Sequence, residues 1–191
     1  MPFLVFVLGA PAVGKSNCAK LIAKKLGAAY LDKDTVVTGF TEAVLTLAGT
    51  DPDGRDENPY YQDHVMDLEY ETILRIAADN LRLGLSVVLD APFGRYLGRP
   101  DFLSGWSEVL EWGEDVSPVV VHVDADGETI RERMTQRGLD RDSWKLAHWD
   151  EYWASQSWSK GAVCRWKGAR QFHLDNSGSP ETENLVAQFS V

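Results

Sequence analysis

The sequence is poor in cysteine and has no long apolar run. Its 191 residues include only two cysteines, Cys18 and Cys164, and neither has a partner at metal-ligand spacing. A disulfide framework is therefore excluded, and a reducing compartment is the simpler interpretation, so we expect a cytoplasmic protein. No apolar segment approaches the roughly 18 residues that a membrane span needs. Phe3–Leu8 is apolar, but no positive charge precedes it and a glycine loop follows, which argues against a signal peptide.

Basic residues are also in short supply. Lysine and arginine number 19 against 29 acidic residues, which gives a formal net charge of −10. Nucleic acids and anionic membranes both attract basic surfaces, so we expect neither as a partner. A few arginines in a cleft can still bind a small anionic molecule. The charge thus argues against these two kinds of partner, and both a monomer and a homodimer remain open.

Short apolar segments alternate with stretches of helical periodicity along the chain. Strands are predicted at Phe3–Leu8, Ala28–Leu31, Ser86–Leu89, Val119–Val123 and Gln171–Leu174. Helices are predicted over residues 14–26, 34–48, 65–83, 102–112, 128–136 and 142–156, with a closing helix from about Pro180. Nearly all-apolar strands separated by helices indicate an α/β fold with three layers, in which helices cover both faces of a parallel sheet of about five strands. No linker or repeat divides the chain, so one domain is predicted over residues 1–191.

One segment interrupts this alternation. Residues 49–63 consist largely of glycine, proline, aspartate and asparagine, with hardly an apolar side chain. Such a composition is typical of turns and predicts a variable surface loop. We expect ligand specificity to lie here and in an aromatic segment further along the chain.

A glycine-rich loop follows the first predicted strand. Gly9-Ala-Pro-Ala-Val-Gly14-Lys15-Ser16 is a complete GxxxxGK[ST] motif between a strand and an amphipathic helix. Glycines let successive backbone N–H groups point into one concavity, and the helix N-terminus adds positive potential. Lys15 suits a catalytic contact with the β- and γ-phosphates, and the Ser16 hydroxyl suits a Mg²⁺ ion. The predicted cofactors are thus ATP and Mg²⁺, and the predicted nucleotide-binding residues are Gly9, Ala12, Val13, Gly14, Lys15, Ser16 and Cys18.

The chain resembles the shikimate kinase, gluconate kinase and zeta-toxin branch of P-loop kinases, which are often described only as AAA-type ATP-binding proteins. The resemblance rests on Gly9–Ser16, Leu31–Asp34, Val87–Asp90, Arg131–Arg141 and Leu174–Ser177. It implies a P-loop NTPase fold and transfer of the γ-phosphoryl group of ATP to a hydroxyl of a small molecule. The acceptor could be a metabolite, an antibiotic or a nucleoside-like compound. The alternatives are a zeta-toxin-like kinase of a nucleotide sugar and a non-kinase ATPase or nucleotide-binding switch.

Aspartates end two of the predicted strands. Asp32 and Asp34 follow the second strand and Asp90 ends the third, at the edge where open α/β sheets bind ligands. The resemblance implies that Asp34 binds the acceptor and acts as a base, and that Asp32 is a second acceptor-binding residue, nearer the metal. Asp90 is typical of a Walker B metal ligand, or alternatively of a strand-end residue that holds loop amides. The resemblance leaves open that this position serves the acceptor instead. Asp34 could instead cap the helix beginning at Thr35. Arg95, in the next loop, is a candidate for binding the acceptor.

Four arginines, Arg131, Arg133, Arg137 and Arg141, occur within one short window. Arg133 and Arg137 are four residues apart, so they share a helix face and can point at one anion. The resemblance implies a lid over residues 131–145 that closes on ATP, with Arg133 and Arg137 as catalytic groups that neutralise charge. The alternative is a solvated helix with weak surface ion pairs.

Two segments near the C-terminus complete the list of candidates. Trp149, Tyr152 and Trp153 fall on one helix face, where aromatic residues usually pack against a core. The alternative is that they wall a pocket for the acceptor, with Trp149 as its binding residue. In the loop 174–178, the resemblance implies that Asn176 contacts the adenine, whereas an ordinary turn is the structural alternative.

Overall fold

Five parallel strands form the centre of the molecule. The computed structural model describes residues 1–52, 55, 58–139, 142–155, 164–178 and 182–190. The strands are β1 (Phe3–Leu8), β2 (Ala29–Asp32), β3 (Val87–Asp90), β4 (Ser117–Asp124) and β5 (Arg170–Asp175). Their order across the sheet is β2-β3-β1-β4-β5, and all four pairings are parallel. The five predicted strands are confirmed to within two residues at each end.

Helices lie on both faces of this sheet, which confirms the predicted three-layer α/β fold. They are α1 (Lys15–Leu26), α2 (Lys33–Leu47), α3 (Met66–Arg82), α4 (Phe102–Leu110), α5 (Gly127–Arg137), α6 (Ser143–Ala147), α7 (Trp149–Ser155) and α8 (Thr182–Ala187). Shorter helical turns occupy Tyr61–Val65, Gly94–Tyr96 and Gln188–Ser190. None of the helices in the described part of the chain is long and apolar enough to cross a membrane.

The central strand β1 contributes to two separate hydrophobic cores. Leu4, Phe6 and Leu8 pack with residues of α3 and α4 on one face of the sheet. Val5 and Val7 point to the other face and pack with residues of α1, α5 and α8. Successive side chains of a strand alternate between its faces, so a strand buried on both sides must be apolar throughout. The continuous apolar run of β1 therefore follows from its central position.

The loop predicted over residues 49–63 is shorter than expected. Residues 59–60 are helical and continue into the π-helical turn Tyr61–Val65, which leads directly into α3. The Asn58 side chain caps this turn, because its Oδ1 accepts from the N–H groups of Tyr60 and Tyr61 at 3.0 and 3.3 Å. Tyr61 is buried. Asparagine followed by proline is a favourable helix start, and the sequence prediction did not use that signal.

The helix predicted over residues 142–156 is wrong in its continuity, because it breaks at His148. This residue has φ −118° and ψ 45°, outside the helical region, and separates α6 from α7. Its ring atom Nδ1 lies 3.0 Å from the carbonyl oxygen of Trp144, so the side chain contacts the backbone of the preceding turn. The closing helix begins at Thr182, whereas its predicted start at Pro180 lies outside the described residues.

Candidate nucleotide and acceptor site

The glycine-rich loop joins β1 to α1, and two of its glycines pack closely against neighbouring atoms. A Cβ atom on Gly9, whose φ is 151°, would lie 2.4 Å from the carbonyl oxygen of Val123 and 2.9 Å from Cγ2 of Val13. A Cβ atom on Gly14, whose φ is 90°, would lie 2.3 Å from Nδ2 of Asn176. Real Cβ atoms essentially never approach so closely, and the positive φ of both residues is strained for any residue with a side chain, so both positions require glycine.

The first residues of α1 provide the polar groups of this loop. Lys15 begins the helix, and its ammonium group donates to the carbonyl oxygen of Ala10 at 3.0 Å, which turns the side chain back over the loop. Ser16 is exposed in the first helical turn. Ala12 has a left-handed φ of 65°, an uncommon conformation for a residue with a side chain. The helix N-terminus, the ammonium group and the close-packed glycines together fit a triphosphate.

Cys18 lies one turn further along α1 and is buried in the core. Its backbone N–H donates to the carbonyl oxygen of Gly14 at 3.1 Å. Burial raises the pKa of its thiol to about 11, so the side chain is a neutral packing group at physiological pH.

Arg133 and Asn176 hold the glycine-rich loop from its other side. Nη1 of Arg133 and Nδ2 of Asn176 both donate to the carbonyl oxygen of Val13, at 3.0 and 2.6 Å. Nη2 of Arg133 donates to the carbonyl oxygen of Asn176 at 2.7 Å. The backbone N–H of Asn176 in turn donates to the carbonyl oxygen of Asp124 at 2.8 Å. Helix α5 and the loop after β5 are thereby tied to the loop backbone. Both side chains therefore lie against the loop, while the catalytic role predicted for Arg133 and the adenine contact predicted for Asn176 stay predictions.

Arg137 makes different contacts from Arg133. Its guanidinium group forms a bidentate pair with Asp142, with Nε 2.5 Å from Oδ2 and Nη2 2.8 Å from Oδ1. Asp142 is fully buried, and Lys145 lies 3.7 Å from it. The two arginines that share a face of α5 therefore hold separate partners, and their catalytic role stays a prediction. Arg141 lies outside the described residues.

Two of the predicted aspartates lie side by side at the carboxyl edge of the sheet. Asp32 ends β2 and Asp90 ends β3, and the two are register partners. The hydroxyl of Tyr30 lies 2.9 Å from Oδ2 of Asp90 and 3.2 Å from Oδ2 of Asp32. Oδ1 of Asp32 accepts from the N–H of Thr35 at 3.1 Å and caps α2. The capping residue is thus Asp32, which corrects the alternative role of Asp34.

Asp34 lies next to a buried polar cluster that the sequence analysis missed. Its side chain is 64% exposed, and Nζ of Lys33 lies 3.3 Å from its Oδ1. The same ammonium group lies 2.5 Å from the carboxylate of Glu69, which also accepts from the hydroxyls of Tyr61 at 2.7 Å and Thr41 at 2.6 Å. Lys33 and Glu69 are both buried. Two signals in the sequence could have revealed this pair. Lys33 lies between two aspartates, and Glu69 lies on the apolar face of a helix.

Arg95 and Trp149 lie in different parts of the molecule. Arg95 is exposed, and its Nη1 donates to the carbonyl oxygen of Gln62 at 2.8 Å, in the segment before α3. Trp149 stacks on Trp153 with ring centroids 5.6 Å apart, and it packs on the core around α5 with Arg131 over its ring. The predicted acceptor-binding role of both residues remains a prediction.

Comparisons with known proteins agree with this architecture. A family model described as an AAA domain matches residues 4–157. Similar solved structures include a provisionally assigned kinase from Chloroflexus aurantiacus J-10-fl, at 19% identity with a TM-score of 0.58, covering 99% of this chain and 94% of that one. They also include a sugar kinase from Janibacter sp. HTCC2649, at 19% identity with a TM-score of 0.56, covering 98% and 91%.

A gluconokinase from Sinorhizobium meliloti 1021 is more distant, at 16% identity with a TM-score of 0.48, covering 98% of this chain and 89% of that one. No curated protein matches the chain in sequence. At 19% identity, the likeness to the first two structures shows the fold alone. The family model covers most of the chain. The chain therefore belongs to the AAA domain family and has the P-loop kinase-like fold that its glycine-rich loop predicts.

Proposed function

We propose that the protein is a kinase that transfers the γ-phosphoryl group of ATP to a hydroxyl of a small molecule. The observation that carries this proposal is the shared edge of the sheet. Val7 of β1 is the register partner of Asp90 on β3. The phosphate loop begins at Gly9, two residues after Val7, so it starts close to Asp90. Asp32 lies next to Asp90 on β2. Asp34 follows Asp32 in the first turn of α2. A kinase needs such a carboxylate to hold its acceptor, whereas a nucleotide-binding switch does not.

The nucleotide half of the site consists of the phosphate loop and the groups that hold it. The α1 N-terminus directs N–H groups at the phosphate loop, and Lys15 adds a positive charge above it. Arg133 and Asn176 hold the carbonyl oxygen of Val13, so the loop needs little rearrangement. Bound Mg²⁺ would neutralise phosphate charge, and oxygen ligands of the kind that Ser16 and Asp90 offer suit that ion.

The acceptor half centres on Asp34. Its exposed carboxylate can accept the proton of an alcohol. The ammonium group of Lys33 contacts the same carboxylate, and Glu69 holds Lys33 in place. Phosphoryl transfer passes through a loose transition state, so the base contributes less than correct placement of the hydroxyl. We therefore assign Asp34 first to holding the acceptor and second to taking its proton.

The chemical class of acceptor remains a choice among alcohols. The fold is shared with a sugar kinase, so sugars come first, followed by nucleosides, antibiotics and nucleotide sugars. The net charge of −10 argues against long nucleic acids as acceptors.

The test is an acceptor panel incubated with the purified protein, ATP and Mg²⁺. ADP release and the mass of the phosphorylated product are both measured. We expect one class of alcohol to raise ADP release at least about tenfold over the acceptor-free rate. Lys15→Ala should lower turnover by about 100-fold or more, whereas Lys24→Ala, an exposed lysine on the same helix, should not. ATP hydrolysis that no acceptor changes would contradict the kinase and favour an ATPase.

A further inference from the structure

Tyr30 lies between the two carboxylates at the edge of the sheet. It precedes Asp32 by two residues on β2, so both side chains leave the strand on the same face. Asp90 is the register partner of Asp32 on β3, and the Tyr30 hydroxyl is within hydrogen-bond distance of both. A phenol has a single proton to donate, so the two carboxylates share it. In the described part of the chain, neither carboxylate forms an ion pair with a lysine or arginine.

The four carboxylate oxygens are used unequally. Oδ2 of Asp32 contacts Tyr30 and its Oδ1 accepts from the N–H of Thr35, so this side chain is held at both ends. Oδ2 of Asp90 contacts Tyr30, whereas its Oδ1 accepts no hydrogen bond from a residue that the structure describes. Asp90 is only 6% exposed. One carboxylate oxygen of this largely buried aspartate is thus left available at the ligand-binding edge, in an orientation that Tyr30 helps to fix.

We propose that Tyr30 is a positioning residue for the divalent-cation site. Its hydroxyl joins Asp90 to Asp32, which the α2 N-terminus already holds, and leaves Oδ1 of Asp90 as the oxygen offered to the ion. The hydroxyl also separates two like charges that would otherwise repel at neighbouring strand ends. This inference rests on the proposed function, because it needs an ion that accompanies a nucleotide. Partners that orient ligand side chains commonly change metal affinity by about 10- to 100-fold when removed.

The experiment compares the wild-type protein with Tyr30→Phe, which keeps the ring and removes the hydroxyl. A non-hydrolysable ATP analogue is titrated by calorimetry without metal, and Mg²⁺ is then titrated into the complex. We expect the half-saturating Mg²⁺ concentration to rise about tenfold in Tyr30→Phe, while metal-free affinity for the analogue stays within about twofold. Tyr96→Phe is the matched control, since its hydroxyl donates to Asp67 elsewhere, and it should leave both quantities unchanged.

The outcomes separate the two proposals. A wild-type protein whose analogue binding does not depend on Mg²⁺ overturns the proposed function and this inference with it. A Mg²⁺-dependent wild type with an unchanged Tyr30→Phe overturns the positioning role alone, as does an equal loss of metal-free affinity. If Tyr30→Phe does not fold, Asp32→Asn takes its place, because asparagine still caps α2 and removes one of the two carboxylates. We then expect a rise of about threefold, and no rise overturns the inference.

Discussion

At the scale of single residues, the phosphate loop depends on the missing side chain of Gly9. The atom that a Cβ would meet is the carbonyl oxygen of Val123, which belongs to the ordered strand β4. That oxygen cannot move aside without disturbing the strand, unlike the end of a flexible side chain. Ala12 also has a left-handed conformation, which is strained for a residue with a side chain, so the packing around the loop must hold it there.

Replacing Gly9 with alanine should therefore damage both the fold and nucleotide binding. We expect Gly9→Ala to lower the free energy of unfolding by about 2 kcal/mol, as overpacking does, and to weaken ATP binding by at least about tenfold. Urea denaturation and calorimetry measure the two effects. Gly39→Ala is the control, because nothing lies within 4 Å of its Cβ position in α2, and it should stabilise the protein by about 0.5–1 kcal/mol. Unchanged stability and affinity in Gly9→Ala would contradict the packing described above.

At the scale of secondary-structure elements, the pairing of β4 with β5 brings two histidines into contact. His122 and His173 are register partners, and their rings stack at 4.9 Å between centroids. Nε2 of His122 lies 3.1 Å from Oε1 of Gln171, and Nδ1 of His173 lies 3.4 Å from Oδ2 of Asp124. Burial lowers the pKa of His122 more than its contact with Gln171 raises it, and His173 lowers it further.

This lowered pKa predicts a loss of stability in mild acid. The unfolded chain binds a proton at His122 near pH 6.5, above the folded pKa, so stability falls as the pH drops from above 6.5 through the folded pKa. We expect a lower free energy of unfolding at pH 5.5 than at pH 7.5, and a smaller difference in His122→Gln. The exposed carboxylates with lowered pKa, Asp126 and Asp175, lose their contribution only at more acidic pH.

Chemical denaturation at the two pH values measures this difference. His64→Gln, which changes an exposed histidine before α3, is the control and should keep the wild-type difference. If His122→Gln shows the same loss as the wild type, then another group causes it.

At the scale of the whole molecule, strand order brings the proposed site together. The strand β1 is central, so its phosphate loop has Asp90 and Asp32 on one side and Arg133 and Asn176 on the other. Both hydrophobic cores pack against β1. A nucleotide bound at this loop therefore contacts the part of the protein on which both cores depend.

Nucleotide binding should consequently stabilise the whole fold. A ligand at 100 times its Kd adds about 2.7 kcal/mol, which for a domain of this size raises Tm by roughly 5–10 °C. We expect this shift with ATP and Mg²⁺ in a thermal unfolding scan, and a smaller one when EDTA removes the metal. Lys15→Ala should lose the shift, and Lys24→Ala should retain it. An equal shift in the wild type and Lys15→Ala would show that the nucleotide binds elsewhere.

Local patterns in the sequence were enough to predict the fold and the phosphate loop. The apolar run Phe3–Leu8 can only be a strand buried on both faces, and Gly9–Ser16 needs its glycines wherever such a loop occurs. Asp90 was predicted as a site residue for a similar reason, since it directly ends an apolar strand. Asn58 and Pro59 form an equally local signal for a helix start. It was missed because the composition of residues 49–63 predicted a loop.

Only the tertiary structure decided which polar groups meet. Tyr30 reaches Asp90 across 60 residues and Lys33 reaches Glu69 across 36, and these contacts exist because β2 lies beside β3 and α2 beside α3. Periodicity tells which face of an element a side chain occupies, but it carries no information about the neighbouring element. Arg133 and Arg137 share a helix face as predicted, yet Arg133 contacts the carbonyl oxygen of Val13 and Arg137 contacts the carboxylate of Asp142. Hydrogen bonds are short and directional, so partners are chosen by a spatial arrangement that sequence spacing does not contain.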